Sequence, residues 1–167
     1  GPEGIALFYC RSEWLQRLDL KQFGWHMVQA MGDYDRRDWQ PAGTARRFEC
    51  GSPNMLGIHA LHTSLALILQ TGIESIFNLV SLNIQYLIDN IKISGGEILS
   101  ETRPEKRAGI MAFRLKDEDL NARYRHLQEH GVICALRAGA IRFSPHFYTP
   151  RAVLERALTH ATEPLKN

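Results

Sequence analysis

The chain has 167 residues, 44% of them hydrophobic and 23% charged, with a formal net charge of +2. That length holds one medium domain, or one and a half small ones, with a sizeable core. The charge is too small to argue for nucleic acid as a partner, and no uncharged run is long enough to span a bilayer. The residues show no secretory-signal pattern, internal repeat or low-complexity tract. Cys10, Cys50 and Cys134 are widely spaced in apolar settings, which reads as reduced, buried thiols in an intracellular, cytoplasmic protein.

In chain order, Gly1-Pro2-Glu3-Gly4 leads without a methionine into the apolar run Ile5-Ala6-Leu7-Phe8-Tyr9-Cys10. The run reads as a strand buried on both faces. The next forty residues offer no other good strand, so its sheet partners are expected outside this chain, and the start looks like a cut through a larger protein. Ser12 to Leu18 suits one or two helical turns capped by Ser12. Asp19 to Ala45, with Trp25, Trp39 and several Gly and Pro residues, reads as a long irregular segment. Leu56 to Gln70 is expected to be a helix apolar nearly all round, and therefore buried on several sides. His59 and His62 lie three apart on it, but no third ligand is placed to join them in a metal site.

A second helix is expected from about Ile73 to Ile93, with the stripe Ile76, Phe77, Val80, Ile84, Leu87, Ile88 and Ile91, stopped by Gly95-Gly96. Glu97–Glu101 and Gly109–Leu115 read as strands on either side of a charged turn. Asp117 is a plausible cap, with Glu118 and Asp119 in the first turn of a helix that buries Leu120, Tyr124 and Leu127 and ends at Gly131. Val132–Leu136 and Ala140–Ser144 read as strands joined by a tight reversal at Ala138-Gly139. Thr149 is expected to cap the last helix, with Pro150 at its first position and Val153, Leu154, Ala157, Leu158 and Ala161 as its stripe. The order α-β-β-α-β-β-α predicts an α/β (α+β) small domain, its helices packed on one face of a small, mostly antiparallel sheet.

Two stretches carry candidate chemistry. In Arg46-Arg47-Phe48-Glu49-Cys50-Gly51-Ser52-Pro53-Asn54, the turn at Gly51-Ser52-Pro53 offers backbone N–H groups and a hydroxyl just before a helix. Such a turn either receives an anion such as a phosphate or simply supplies Ser52 as a cap. In Ala140-Ile141-Arg142-Phe143-Ser144, period two sets Ile141 and Phe143 on one face and Arg142 on the other. Arg142 then either binds a carboxylate or phosphate with its two-pronged guanidinium or sits in water at a strand edge. No phosphate loop, dinucleotide fingerprint, cysteine metal spacing or nucleophile elbow is found, and no metal site is expected.

Taken with Gly1–Tyr9 and Ile141–Tyr148, these stretches resemble the C-terminal part of the class V aminotransferase family of fold-type I pyridoxal-phosphate (PLP) enzymes. That family includes cysteine desulfurases, kynureninases and isopenicillin-N-epimerase-like proteins. The resemblance implies residues 1–72 as the tail of a large PLP-binding domain and 73–167 as a small C-terminal domain. It implies a homodimer acting on an amino acid, with Gly51 and Ser52 reaching toward the partner's PLP phosphate and Arg142 binding the substrate α-carboxylate. The lysine that holds PLP would precede a segment like Gly1–Gly4, so this chain alone is expected to be inactive, with no catalytic residue of its own. Desulfurases carry a nucleophilic cysteine on a loop shortly before the arginine. Here the link Arg137–Ala140 has none, and Cys134 falls in the preceding strand. The contrasting reading is a non-catalytic α/β module that binds a ligand or partner without PLP.

Overall fold

The computed structural model describes residues 1–116 and 119–165. Its elements are α1 (Ser12–Leu15), a 3-10 turn (Ala45–Phe48), α2 (Met55–Thr71), α3 (Ile73–Ile93), β1 (Glu97–Ile98), β2 (Met111–Arg114), α4 (Leu120–Glu129), β3 (Ala135–Arg137), β4 (Ala140–Phe143) and α5 (Arg151–Thr162). They fall into two compact units, Gly1–Gln70 and Thr71–Asn167.

In the first unit, Ile5–Cys10 forms no strand, and Leu7, Phe8 and Tyr9 are exposed. An apolar run becomes a strand only when a neighbour takes its N–H and C=O groups, and none of the described residues does so. The segment from Asp19 to Ala45 is irregular, as its composition dictates, but it is not loose. Gln29 N–H donates to the Gln40 carbonyl at 2.8 Å and Ala42 N–H to the Met27 carbonyl at 2.8 Å. These bonds fold the segment back around the fully buried Met27. Ser12 does not cap α1; the N-cap is Arg11, with no side-chain bond. The helix α2 forms as expected but is not enclosed: Leu56 is 84% and Leu69 79% exposed, and Gly57 is its one buried residue.

The second unit is a four-stranded antiparallel sheet in the order β1-β2-β4-β3. Alternation turns Met111, Phe113, Ile141 and Phe143 toward one core, where they meet Ile84, Leu87, Ile88 and Ile91 of α3, Leu127 of α4 and Leu154, Leu158 and Ala161 of α5. Phe113 and Phe143 pack edge to face at 5.1 Å. At the rims of the expected stripes, Phe77 and Val153 are exposed.

The strands are shorter than the sequence suggests, because their end groups are used elsewhere. Ala112 N–H donates to the Ser100 hydroxyl at 2.6 Å rather than to a main-chain carbonyl, and β1 stops at Ile98. Val132 N–H donates to the Leu127 carbonyl at 2.9 Å, and Gly131, at φ 72°, closes the end of α4. That commits Val132 to a helix cap, and β3 begins only at Ala135. Cys134 therefore precedes the strand, and all three thiols are half-buried rather than buried. The expected cap Asp117, with Glu118, lies outside the described residues; the observed N-cap of α4 is Asp119, whose carboxylate accepts from Asn121 N–H at 2.8 Å. For α5 the N-cap is Pro150, not Thr149, which instead accepts from His146 N–H at 2.9 Å and closes the link after β4.

Candidate functional site

Each unit holds one of the two stretches singled out from the sequence. In the first, the chain leaves the 3-10 turn at Phe48 and bends through Gly51 and Ser52 before α2. Ser52 is not the cap of that helix. Asn54 is: its Oδ1 accepts from Gly57 N–H at 2.9 Å and its carbonyl from Ile58 N–H at 2.9 Å. The Ser52 side chain is exposed, and apart from Gly51 and its two chain neighbours no described residue has an atom within 4 Å of where a Cβ on Gly51 would stand. The neighbouring link is held tightly. His26 N–H donates to the Cys50 carbonyl at 3.3 Å, and a Cβ on Gly24 would fall 1.9 Å from that oxygen, so only glycine fits there. Arg46 donates to the Val28 carbonyl at 2.9 Å and fixes the irregular segment against the turn's approach. A cavity of about 700 Å³ opens here, with Phe8, Phe48, Gly51, Ser52, Ile58 and His62 in its lining.

One residue of this stretch was passed over in the sequence. Arg47 is 6% exposed, and its Nε and Nη1 have no hydrogen-bond partner among the described residues. A buried cation five positions before Ser52 adds positive potential to this part of the fold. Its only sequence signal is the doublet Arg46-Arg47, whose members share neither burial nor role.

In the second unit, Arg142 lies in β4, inside the sheet, on the face opposite the core. Its register partners are Ala112 on β2 and Ala135 on β3. Two alanines beside an arginine leave room for the guanidinium to lie across the sheet surface, and the strand-edge alternative is removed by pairing on both sides. Arg142 is half-buried, and its Nε is buried with no hydrogen-bond partner among the described residues. Leaving such a donor unsatisfied costs about 1–3 kcal/mol, which a bound anion would recover. The segment that follows is fixed by α3: Asn83 Nδ2 donates to the carbonyls of His146 at 3.1 Å and Thr149 at 3.4 Å. His146 and Tyr148 stack at 4.3 Å and both are exposed. Cys134, eight residues before Arg142 on the other strand's approach, has its thiol pushed up by burial, opposed by a contact from Gln128 Nε2 at 3.7 Å.

These features fit the groups the sequence resemblance calls for. A glycine with open space beside it and an uncommitted hydroxyl suit a phosphate, and an orphaned guanidinium nitrogen suits a carboxylate. The architecture itself is shared with solved structures. It superposes on a cysteine desulfurase from Thermococcus onnurineus NA1 with a TM-score of 0.78 at 17% identity, covering 90% of this chain and 40% of that one. It superposes on a C-DES mutant carrying glycine covalently linked to its PLP cofactor with a TM-score of 0.79 at 18% identity, covering 93% of this chain and 40% of that one.

The sequence comparison goes further than the fold. The family model for class-V aminotransferases matches residues 1–149, and the chain belongs to that family. It is 28% identical over 162 residues to the uncharacterized aminotransferase YcbU of Bacillus subtilis (strain 168), covering 95% of this chain and 40% of that protein. It is 30% identical over 139 residues to a cysteine desulfurase of Klebsiella pneumoniae, covering 83% of this chain and 33% of that protein. The chain thus spans between a third and two fifths of the length of these relatives.

Proposed function

We propose that this chain serves as the C-terminal part of a PLP-dependent enzyme of the class V aminotransferase type, acting on an amino acid as a homodimer. Pyridoxal 5'-phosphate, when bound, supplies an electron sink for bonds broken at the substrate α-carbon. The chain's own task is positioning. Arg142 holds the substrate α-carboxylate with a charge-assisted fork and so orients the α-carbon. Gly51 and Ser52 reach the phosphate of the partner protomer's cofactor, with backbone approach at the glycine and a hydroxyl at the serine. Desulfuration is disfavoured: the Cys134 thiol is raised by burial, and the link before Arg142 is the two-residue turn Ala138-Gly139, which holds no cysteine.

The observation that carries this reading is the buried, unpaired Nε of Arg142 between Ala112 and Ala135. The test is Arg142→Lys in the longer protein containing this chain, assayed with an amino-acid substrate while the PLP absorbance band is recorded. Lysine keeps the charge and loses the planar fork. The expected loss in kcat/KM is about 2–4 kcal/mol of transition-state binding, with PLP retained. Unchanged kcat/KM would remove Arg142 from the site, and loss of PLP itself would make its role structural.

A further inference from the structure

The second unit also holds a cluster with no part in the reading above. His126 is on α4 and His130, one turn later, is that helix's C-cap; His160 is in the last turn of α5, and Glu163 is the C-cap of α5. Their ligand atoms all lie within 4.8 Å of one another. We propose that His126, His130, His160 and Glu163 bind one divalent transition-metal ion of the zinc class, joining α4 to the C-terminal end of α5.

Several observations converge on this. Glu163 Oε1 is 2.7 Å from His126 Nε2 and 2.7 Å from His160 Nδ1, so one carboxylate oxygen already brings two imidazoles together across the two helices. His130 Nδ1 is 2.8 Å from the His126 carbonyl. A carbonyl only accepts, so that nitrogen carries the proton and Nε2 keeps its lone pair for a metal. The three rings crowd together in tilted contact, His126 to His130 at 4.2 Å and 40° and His130 to His160 at 4.3 Å and 31°. They line an open hollow of about 680 Å³ rather than the core, and His130 is exposed. Packing therefore does not account for the cluster.

The backbone behind the ligands is braced as well. Arg123, 2% exposed, donates to the His160 carbonyl at 2.7 Å and the Glu163 carbonyl at 2.7 Å. Arg123 is thus a positioning residue for both ligands that α5 supplies. Among the described residues, the other charges lining the hollow, Arg125 and Glu129, are opposite in sign.

The donor set decides the metal class. Three imidazole nitrogens and one carboxylate oxygen suit zinc and its first-row neighbours, whereas calcium and magnesium take oxygen throughout. Four protein ligands close a tetrahedral shell, which is a structural rather than a catalytic arrangement. Tetrahedral bonds of about 2.0–2.1 Å place ligand atoms about 3.3 Å apart, so side-chain torsions that open the two 2.7 Å contacts and draw in the other ligand atoms, all within 4.8 Å, complete the shell. His126 and His160 then coordinate in the tautomers that carry the proton on the other ring nitrogen.

The experiment uses the whole chain, treated with chelator and titrated separately with Zn²⁺ and Co²⁺. The expected result is one equivalent of each metal, the intense visible bands of four-coordinate Co²⁺, and a higher melting temperature with Zn²⁺. His130→Ala and Glu163→Gln should each weaken binding at least about tenfold, a ligand loss being no milder than loss of a ligand's support. A His59→Ala/His62→Ala double variant should bind as the parent does. His130 is exposed, so its variant keeps the fold, which circular dichroism without metal checks. Failure to saturate at one equivalent, a pale six-coordinate Co²⁺ spectrum, or parental affinity in His130→Ala would each overturn the site. So would dependence on His59 and His62.

Discussion

Arg123 shows how much one side chain can decide. The helical stripe legible in the sequence names Leu120, Tyr124 and Leu127 and passes over an arginine between them. In the structure that arginine is among the most deeply buried side chains of the chain. Its reason is the end of α5, where the last carbonyls have no partner inside the helix. The guanidinium supplies donors to the His160 and Glu163 carbonyls and sets a positive charge at the negative end of the helix dipole. Replacing it with methionine of similar length keeps the apolar stem and orphans both acceptors. Arg123→Met is expected to lower stability by about 2–6 kcal/mol in urea unfolding, at about 1–3 kcal/mol for each of the two acceptors left unsatisfied. A change below about 0.5 kcal/mol would mean that water replaces the guanidinium fully.

Among the elements, the β3–β4 hairpin is what makes Arg142 rigid. Arg137 pairs with Ala140 across two turn residues. Ala138 has φ 50° and Gly139 has φ 70°. Two positive φ values in succession match the twist of the flanking strands, and asparagine-glycine is the sequence that adopts them most readily. Alanine in that conformation carries a steric cost of about 1–2 kcal/mol, which the strand pairing offsets. Ala138→Asn should therefore raise stability by about 0.5–1 kcal/mol, read as a higher urea midpoint with an unchanged slope. A lower midpoint would show that the methyl group, not the turn, governs this position. The Ala-Gly pair was readable as a reversal from the sequence. The strand lengths were not, since they depend on Ser100 and Val132 making bonds outside the ladder.

For the molecule as a whole, the two units differ in how they treat their apolar residues. The second gathers them into one core. The first leaves Leu7, Tyr9, Leu56 and Leu69 in contact with water, each more than two thirds exposed. Apolar surface on this scale associates. The chain is expected to scatter light as more than a monomer at micromolar concentration, and Leu56→Lys with Leu69→Lys should shift it toward the monomer without changing its helical signal. A monomeric parent whose first 70 residues resist protease would count against this.

Periodicity along the chain is a local signal, and it determined most of what is local. The helix Ile73–Ile93 has the bounds its stripe and flanking glycines predict. The order of helices and strands and the antiparallel sheet follow from alternation and turn chemistry. Three ordered stretches carried the family, and alternation alone set Arg142 opposite Ile141 and Phe143. Contacts between distant residues leave no such trace. The run Ile5–Cys10 has strand composition, yet pairing needs a neighbour and it stays unpaired. Asn54 rather than Ser52 caps α2 because its side chain reaches Gly57 N–H. Residues 126, 130, 160 and 163 gave no metal spacing to read, because two of the ligands lie a helix apart from the others. Only the packing of α4 against α5 brings an imidazole of each helix to within 2.7 Å of one carboxylate oxygen.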